Sequence, residues 1–268
     1  MSSVYDVAIR IAAETKDLVK EIKSNTGLLQ TMGTVAAGVF AAGMIRDAAT
    51  ELYTYGTGID TIREKLGLLS GVQGDALNKI TGSVKAIGDI WDKDYNEVIK
   101  TSNVLTKQLG ADSDKAMKLI QQGMASGGDA TGDFLQQVSE YAPMFKDAGL
   151  SAESLVAIVT QSVTSGIFSD KGADAIKESM LRIREMTTAT EDALAGIGIS
   201  SDDVQKKLQD GTWTYLDVLK LVSKKLGEFP PQSKKVGTAI ADIFGGAGED
   251  AGLDYLKTQL FKFFCVKI

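Results

Sequence analysis

Asp92, Asp94 and Asn96 stand at alternate positions, the spacing at which a calcium loop presents its first three oxygen ligands. Such a loop needs glycine at its sixth position for the turn and a bidentate Glu at its twelfth, whereas these positions hold Glu97 and Asn103. The stretch reads instead as a solvated helix start. Gly245-Gly246-Ala247-Gly248 is the run most like a phosphate-cradling loop, but no strand leads into it and no Lys-Ser or Lys-Thr follows, so it reads as a link between two helices. The carboxylate pairs Glu191-Asp192, Asp202-Asp203 and Glu249-Asp250 are the remaining candidates for acid–base work. Each falls where a helix is expected to begin, so that its charge offsets the positive end of the helix dipole. Trp91, Phe134, Phe145 and Trp213 are too scattered for a base-stacking platform and are expected in core or interface packing.

The side chains that are missing narrow the chemistry further. With no histidine, the commonest general base and the commonest metal ligand are both absent, which removes Ser-His-Asp, Cys-His and histidine-ligated zinc chemistry together. Cys265 is the single cysteine, so neither an intramolecular disulfide nor a cysteine-rich metal site can form. The expectation is a protein that is not an enzyme, with no catalytic, cofactor-binding or metal-ligating residues and no cofactor. A net charge of -6 without a basic cluster along the chain argues against nucleic acid as the partner, because non-specific duplex affinity comes mainly from Lys and Arg neutralising phosphates.

The elements that carry these residues read as helices. The chain has 268 residues, 44% hydrophobic and 24% charged, with three prolines and 28 glycines concentrated where helices are expected to end. Residues 1–70 form an N-terminal segment. Up to about Ala12 its spacing fits either a short extended piece or a helix, and a helix from about Glu14 to Ile22 has Lys16, Lys20 and Lys23 as its wet face. Leu28 to Ile45 carries no charge, and its 18 residues are at the short end of what crosses a hydrocarbon layer of about 30 Å at about 1.5 Å per residue. Its Ala, Gly and Thr also suit close packing of two helix backbones, so a buried or self-associating helix and a membrane-inserting helix both remain open. The opening residues Met1-Ser2-Ser3-Val4-Tyr5-Asp6 lack the basic and apolar regions of a secretory signal, which points to action in the cytoplasm.

Gly67 to Gly74 reads as a break, and residues 71–259 read as a series of short amphipathic helices, each opened by a cap. Asp94, Asp112, Ser151 and Thr214 precede apolar stripes such as Leu155, Ile158 and Val159, or Leu216, Leu219 and Val222. Phe229-Pro230-Pro231 ends one helix, and a last pair is expected at about 233–244 and 249–261. Residues 260–268 abandon this style for an atypical apolar, basic tail. The fold expected is all-α, its helices packed as stacked hairpins or an irregular bundle.

Several stretches then fall in a recognisable order: Gly132-Asp133-Phe134-Leu135, the run from Glu140 to Glu153 (Glu-Tyr-Ala-Pro-Met-Phe-Lys-Asp-Ala-Gly-Leu-Ser-Ala-Glu), Gly166-Ile167, Lys171 to Glu178, Leu194 to Ile199, Val236 to Gly245, and Gly248 to Gly252. In this order and spacing, Gly132 to about Gly252 resembles the helical region of phage tail tape measure proteins. The resemblance implies a structural assembly protein that lines the growing tail tube of a siphophage or myophage, sets its length and leaves ahead of the genome. It further implies contacts with the tail tube protein, tail assembly chaperones and tail initiator proteins, and a path from the bacterial host cytoplasm into the virion tail. Self-association through amphipathic faces is expected as well. The competing reading is a membrane-active or pore-forming helical protein that contacts the host membrane through Leu28 to Ile45.

Overall fold

The computed structural model describes residues 48–167 and 170–259, and every regular element among them is helical. The fold is all-α over these residues, as the composition and stripes require. The segment up to Ala12, the helix expected to Ile22, the run Leu28 to Ile45 and the tail 260–268 with Cys265 lie outside the described residues. Contacts group the chain into two units, Met1–Gly127 and Gly128–Ile268.

In the first unit, α1 (Ala48–Ser70), α2 (Gly74–Trp91), α3 (Tyr95–Leu109) and α4 (Ser113–Ala125) follow one another through short turns. Ile59, Ile62 and Leu66 give α1 a buried stripe at helical spacing, and this carries the helix through Gly67. The break expected from Gly67 therefore begins only at Gly71, where φ is +67°. Val84, Ile87, Val98, Leu105, Met117 and Ile120 fill the core between the four helices. Both α1 and α4 pack on α2 and also on α3, so these four helices form a bundle and not a linear stack of hairpins. Two starts are fixed by side chains: Asp94 accepts from the Asn96 N–H at 2.6 Å, and Asp112 from the Lys115 N–H at 2.8 Å. Such caps contribute about 1 kcal/mol each.

The second unit contains α5 (Phe134–Asp147), α6 (Ala152–Thr164), α7 (Lys171–Glu185), α8 (Thr188–Gly196), α9 (Ser201–Gln209), α10 (Tyr215–Gly227), α11 (Lys234–Ala239) and α12 (Gly245–Ala251). Two wider π-helical turns, Ile240–Phe244 and Tyr255–Gln259, complete it. Helix α7 is the axis, with α5, α6, α10, α12 and the first π turn all against it. Its Ala173, Ile176, Met180 and Ile183 are buried. Ser151, Thr187, Ser200, Thr214 and Ser233 cap the helices that follow them, and Thr214 with Asp217 forms a reciprocal capping box.

The Gly245-Gly246-Ala247-Gly248 run is not a linker. It forms the first turn of α12, and glycine is demanded there for two reasons: Gly245 has a φ of +65° with the Arg182 guanidinium 2.9 Å from where its Cβ would lie, and a Cβ on Gly248 would meet Phe244 Cβ at 2.2 Å. The helix thus starts four residues earlier than expected, and Glu249-Asp250 falls near its end instead of its beginning.

Gly172 lets α6 and α7 touch. A Cβ there would lie 1.8 Å from Ser162 Oγ and 2.8 Å from Tyr255 Oη. Gly237 in α11, by contrast, faces open space. Gly172→Ala should therefore lower the unfolding free energy by about 1–3 kcal/mol, as overpacking does. Gly237→Ala should raise it by about 1 kcal/mol, because alanine loses less backbone entropy in a helix. Urea unfolding of both variants beside the parent checks the opposite signs.

Candidate functional site

The calcium-like stretch forms the turn between α2 and α3. Asp92 ends α2 in a left-handed conformation with φ of 52°, and Asp94 caps α3. Its hydrogen bonds to Asn96 hold the Asp94 carboxyl below its ordinary range. Lys65 Nζ donates to Asn96 Oδ1, which places an ammonium where a bound cation would need free oxygen. Behind the turn Lys85, itself buried, donates to both Asp89 oxygens at 2.6 Å and to Tyr95 Oη at 2.9 Å, while the Tyr95 hydroxyl donates to Asp89. Burial alone would lower the Lys85 pKa, but the bonds to Asp89 and Tyr95 outweigh it and raise it. Gly88 makes room for this lock, since a Cβ there would meet the Tyr95 ring at 2.2 Å. Of the ligand spacing read from the sequence, Asp94 is thus engaged in capping and Asn96 in a hydrogen bond from Lys65. Among the described residues no group of three or more His, Cys, Asp or Glu is placed to hold a metal.

The other candidates separate in space and in role. Glu191 lies in the first turn of α8, and Asp202 and Asp203 in that of α9. Asp203 also pairs with Lys207 at 2.8 Å, and Asp250 with Lys171 at 3.6 Å. Phe134 and Phe145 are fully buried. Lys207 lies 4.0 Å over the Trp213 ring, and Trp91 closes α2 at a half-buried position. The cavity lined by Leu66, Leu69, Ile80 and Ile99 holds about 20 Å³, room for one water and not for an organic substrate.

What the sequence reading missed is a polar node deep in the second unit. Tyr255 Oη and Ser162 Oγ lie 3.0 Å apart and both are buried. Ser162 also donates to the Ile158 carbonyl at 2.8 Å, and Ser223 donates to the Leu256 carbonyl at 2.6 Å. The second π turn is thereby tied to α6 and α10. Only the spacing of Tyr255 and Leu256 as an apolar pair hinted at it. A second node joins α5 to α7, where the Tyr141 hydroxyl donates to Asp170 at 2.8 Å. Burial and then this acceptor raise the Tyr141 pKa.

This set of caps, locks and packing nodes is equipment for holding helices together. The model of the Phage-related minor tail protein family matches residues 46–245, a stretch that draws on both units. The chain belongs to this family. It is a structural component of the phage tail, placed in the virion tail among other tail components. No curated protein and no solved structure matches it. The family match ends before the π turn with Tyr255, so of the node in this tail protein's second unit Ser162 and Ser223 lie within the matched residues and Tyr255 and Leu256 beyond them.

Two outcomes follow for this tail protein. Burial pushes the Tyr255 phenol up to about 12 from an ordinary 10.0, so the folded state holds that proton more tightly than the unfolded chain does. The stability this gives is intact below about pH 10 and is lost as pH rises towards 12. Urea unfolding across that range should show the loss, and Tyr255→Phe should lessen it while costing about 1 kcal/mol at neutral pH through the lost hydrogen bond. Millimolar calcium should leave the unfolding temperature unchanged; a saturable rise would restore the metal reading of Asp92 to Asn96.

Proposed function

We propose that this tail protein is a tape measure, with residues 71–259 as its helical front region: it occupies the tail tube, sets tail length and is released ahead of the DNA. The observation that carries the reading is the coincidence of the family match over 46–245 with the tape-measure-like order of stretches from Gly132 to Gly252. Helices throughout the described residues suit the role, because a helix advances by about 1.5 Å per residue and so converts chain length into distance. In this reading the protein works through packing, without catalysis. Its contacts are the tail tube protein, the assembly chaperones and the initiator proteins, and it passes from the host cytoplasm into the tail. For the membrane-active reading through Leu28 to Ile45, that run lies outside the described residues, and no described helix is long and apolar enough to cross a membrane.

The test is tail length by electron microscopy in a phage carrying altered copies of the gene. In-frame deletions within 71–259 should shorten the tails and duplications lengthen them, by about 1.5 Å per residue for a helical passage. Tails of unchanged length in both sets would overturn the proposal.

A further inference from the structure

Helix α5 carries features that work against its own stability. Gln137 is 3% exposed, yet neither its amide oxygen nor its amide nitrogen has a hydrogen-bond partner. Thr160 Oγ1 on α6 and Arg182 Nε on α7 are the other buried side-chain atoms without one, so among the described residues only Gln137 has two such atoms. A buried amide in that state has given up the hydrogen bonds of water and received none in return. Pro143 stands inside the same helix and has no N–H to give to the turn before it. The start of the helix is weakly held as well. Asp133 makes no side-chain cap, and no carboxylate lies in the first turn, whereas α6 to α10 each have one there. Asp129, five residues back, accepts from the Phe134 N–H at 3.3 Å.

Against these stand an apolar face and a polar tie. Phe134, Leu135, Val138, Tyr141 and Phe145 are buried, and the helix lies against α6 and α7. The Tyr141 hydroxyl donates at 2.8 Å to Asp170, the residue that precedes α7. Helix α9 buries less, with Val204 alone, but its fraying would uncover almost no apolar surface. Opening of α5 uncovers an aromatic face, and that cost is offset in part because Gln137 regains its hydrogen bonds from water.

We propose that α5 is a latch helix, which opens from α6 and α7 as one cooperative piece while the rest of the second unit stays folded, and so presents the face of Phe134, Val138, Tyr141 and Phe145. The hydrogen bond from Tyr141 to Asp170 is the catch. The unmatched Gln137 amide and Pro143 set this opening well below global unfolding in free energy. The device stands on the second unit alone and does not depend on the tape-measure reading.

The test is hydrogen–deuterium exchange of the full chain, read by mass spectrometry on peptides from α5, α7 and α10. The slowest amides of α5 should exchange at least about tenfold faster than the slowest of α7 and α10, because they need only the smaller opening. Gln137→Leu removes the unmatched amide at similar size and should slow α5 at least about tenfold, whereas Tyr141→Phe removes the catch and should speed it about fivefold. Tyr255→Phe lies outside α5 and weakens a contact that survives the opening. It should therefore speed α7 and α10 about fivefold and leave α5 unchanged. Exchange of α5 no faster than that of α7, equal speeding of all three helices by Tyr255→Phe, failure of Gln137→Leu to slow α5, or failure of Tyr141→Phe to speed it would each overturn the proposal. If Gln137→Leu loses the parent's helical circular dichroism, Pro143→Ala on the exposed side of α5 takes its place with the same expected slowing.

Discussion

The second unit depends on how closely α6 can lie against α7. That distance is set by the absence of one side chain, at Gly172, and by the hydroxyl of Ser162 that fills the space. Tyr255 then comes to the same point from the far end of the unit and shares the hydroxyl's hydrogen bonding. A small residue, a small polar residue and a large amphipathic one thus meet where three elements converge. Burial of the phenol costs free energy unless its oxygen is matched, and Ser162 supplies the match. Because α7 also supports α5, α10 and α12, displacement at this contact reaches most of the unit.

The first unit solves an equivalent problem at its surface. Gly88 admits the Tyr95 ring against α2, and the ring's hydroxyl completes a triad with Lys85 and Asp89 that fixes the angle between α2 and α3. In both units the approach of two helices is specified by a glycine and by a tyrosine whose hydroxyl is hydrogen-bonded, to Lys85 and Asp89 in the first and to Ser162 in the second. Apolar stripes supply the driving force for burial, but Leu and Ile slide past one another at low cost, whereas a hydrogen-bonded phenol does so only by leaving its partner unsatisfied.

Much of the secondary structure was legible because its signals are local. Asp94, Asp112, Ser151 and Thr214 cap helices as their positions suggested, and stripes such as Leu155, Ile158 and Val159 turned inward. The misreadings share one cause. Glycine has two uses, positive φ and close approach, and the sequence does not distinguish them: Gly71 ends a helix, whereas Gly67 and Gly248 lie within one. The Asp92 to Asn96 spacing lacks the sixth and twelfth positions of a calcium loop, which the sequence shows, but the link from Asn96 to Lys65 spans 31 residues and is visible only in three dimensions.

The matched residues end before the folded second unit does. The family match runs to residue 245, yet Tyr255 and Leu256 beyond it are both buried in the second unit. A recombinant fragment trimmed to the shared region would leave the trough between α6, α7 and α10 without its plug, with the Ser162 and Ser223 hydroxyls facing an apolar furrow. Such a fragment would behave as a sticky, partly opened body. Comparisons between relatives are therefore better made on chains that run past the shared segment to the residues that close it.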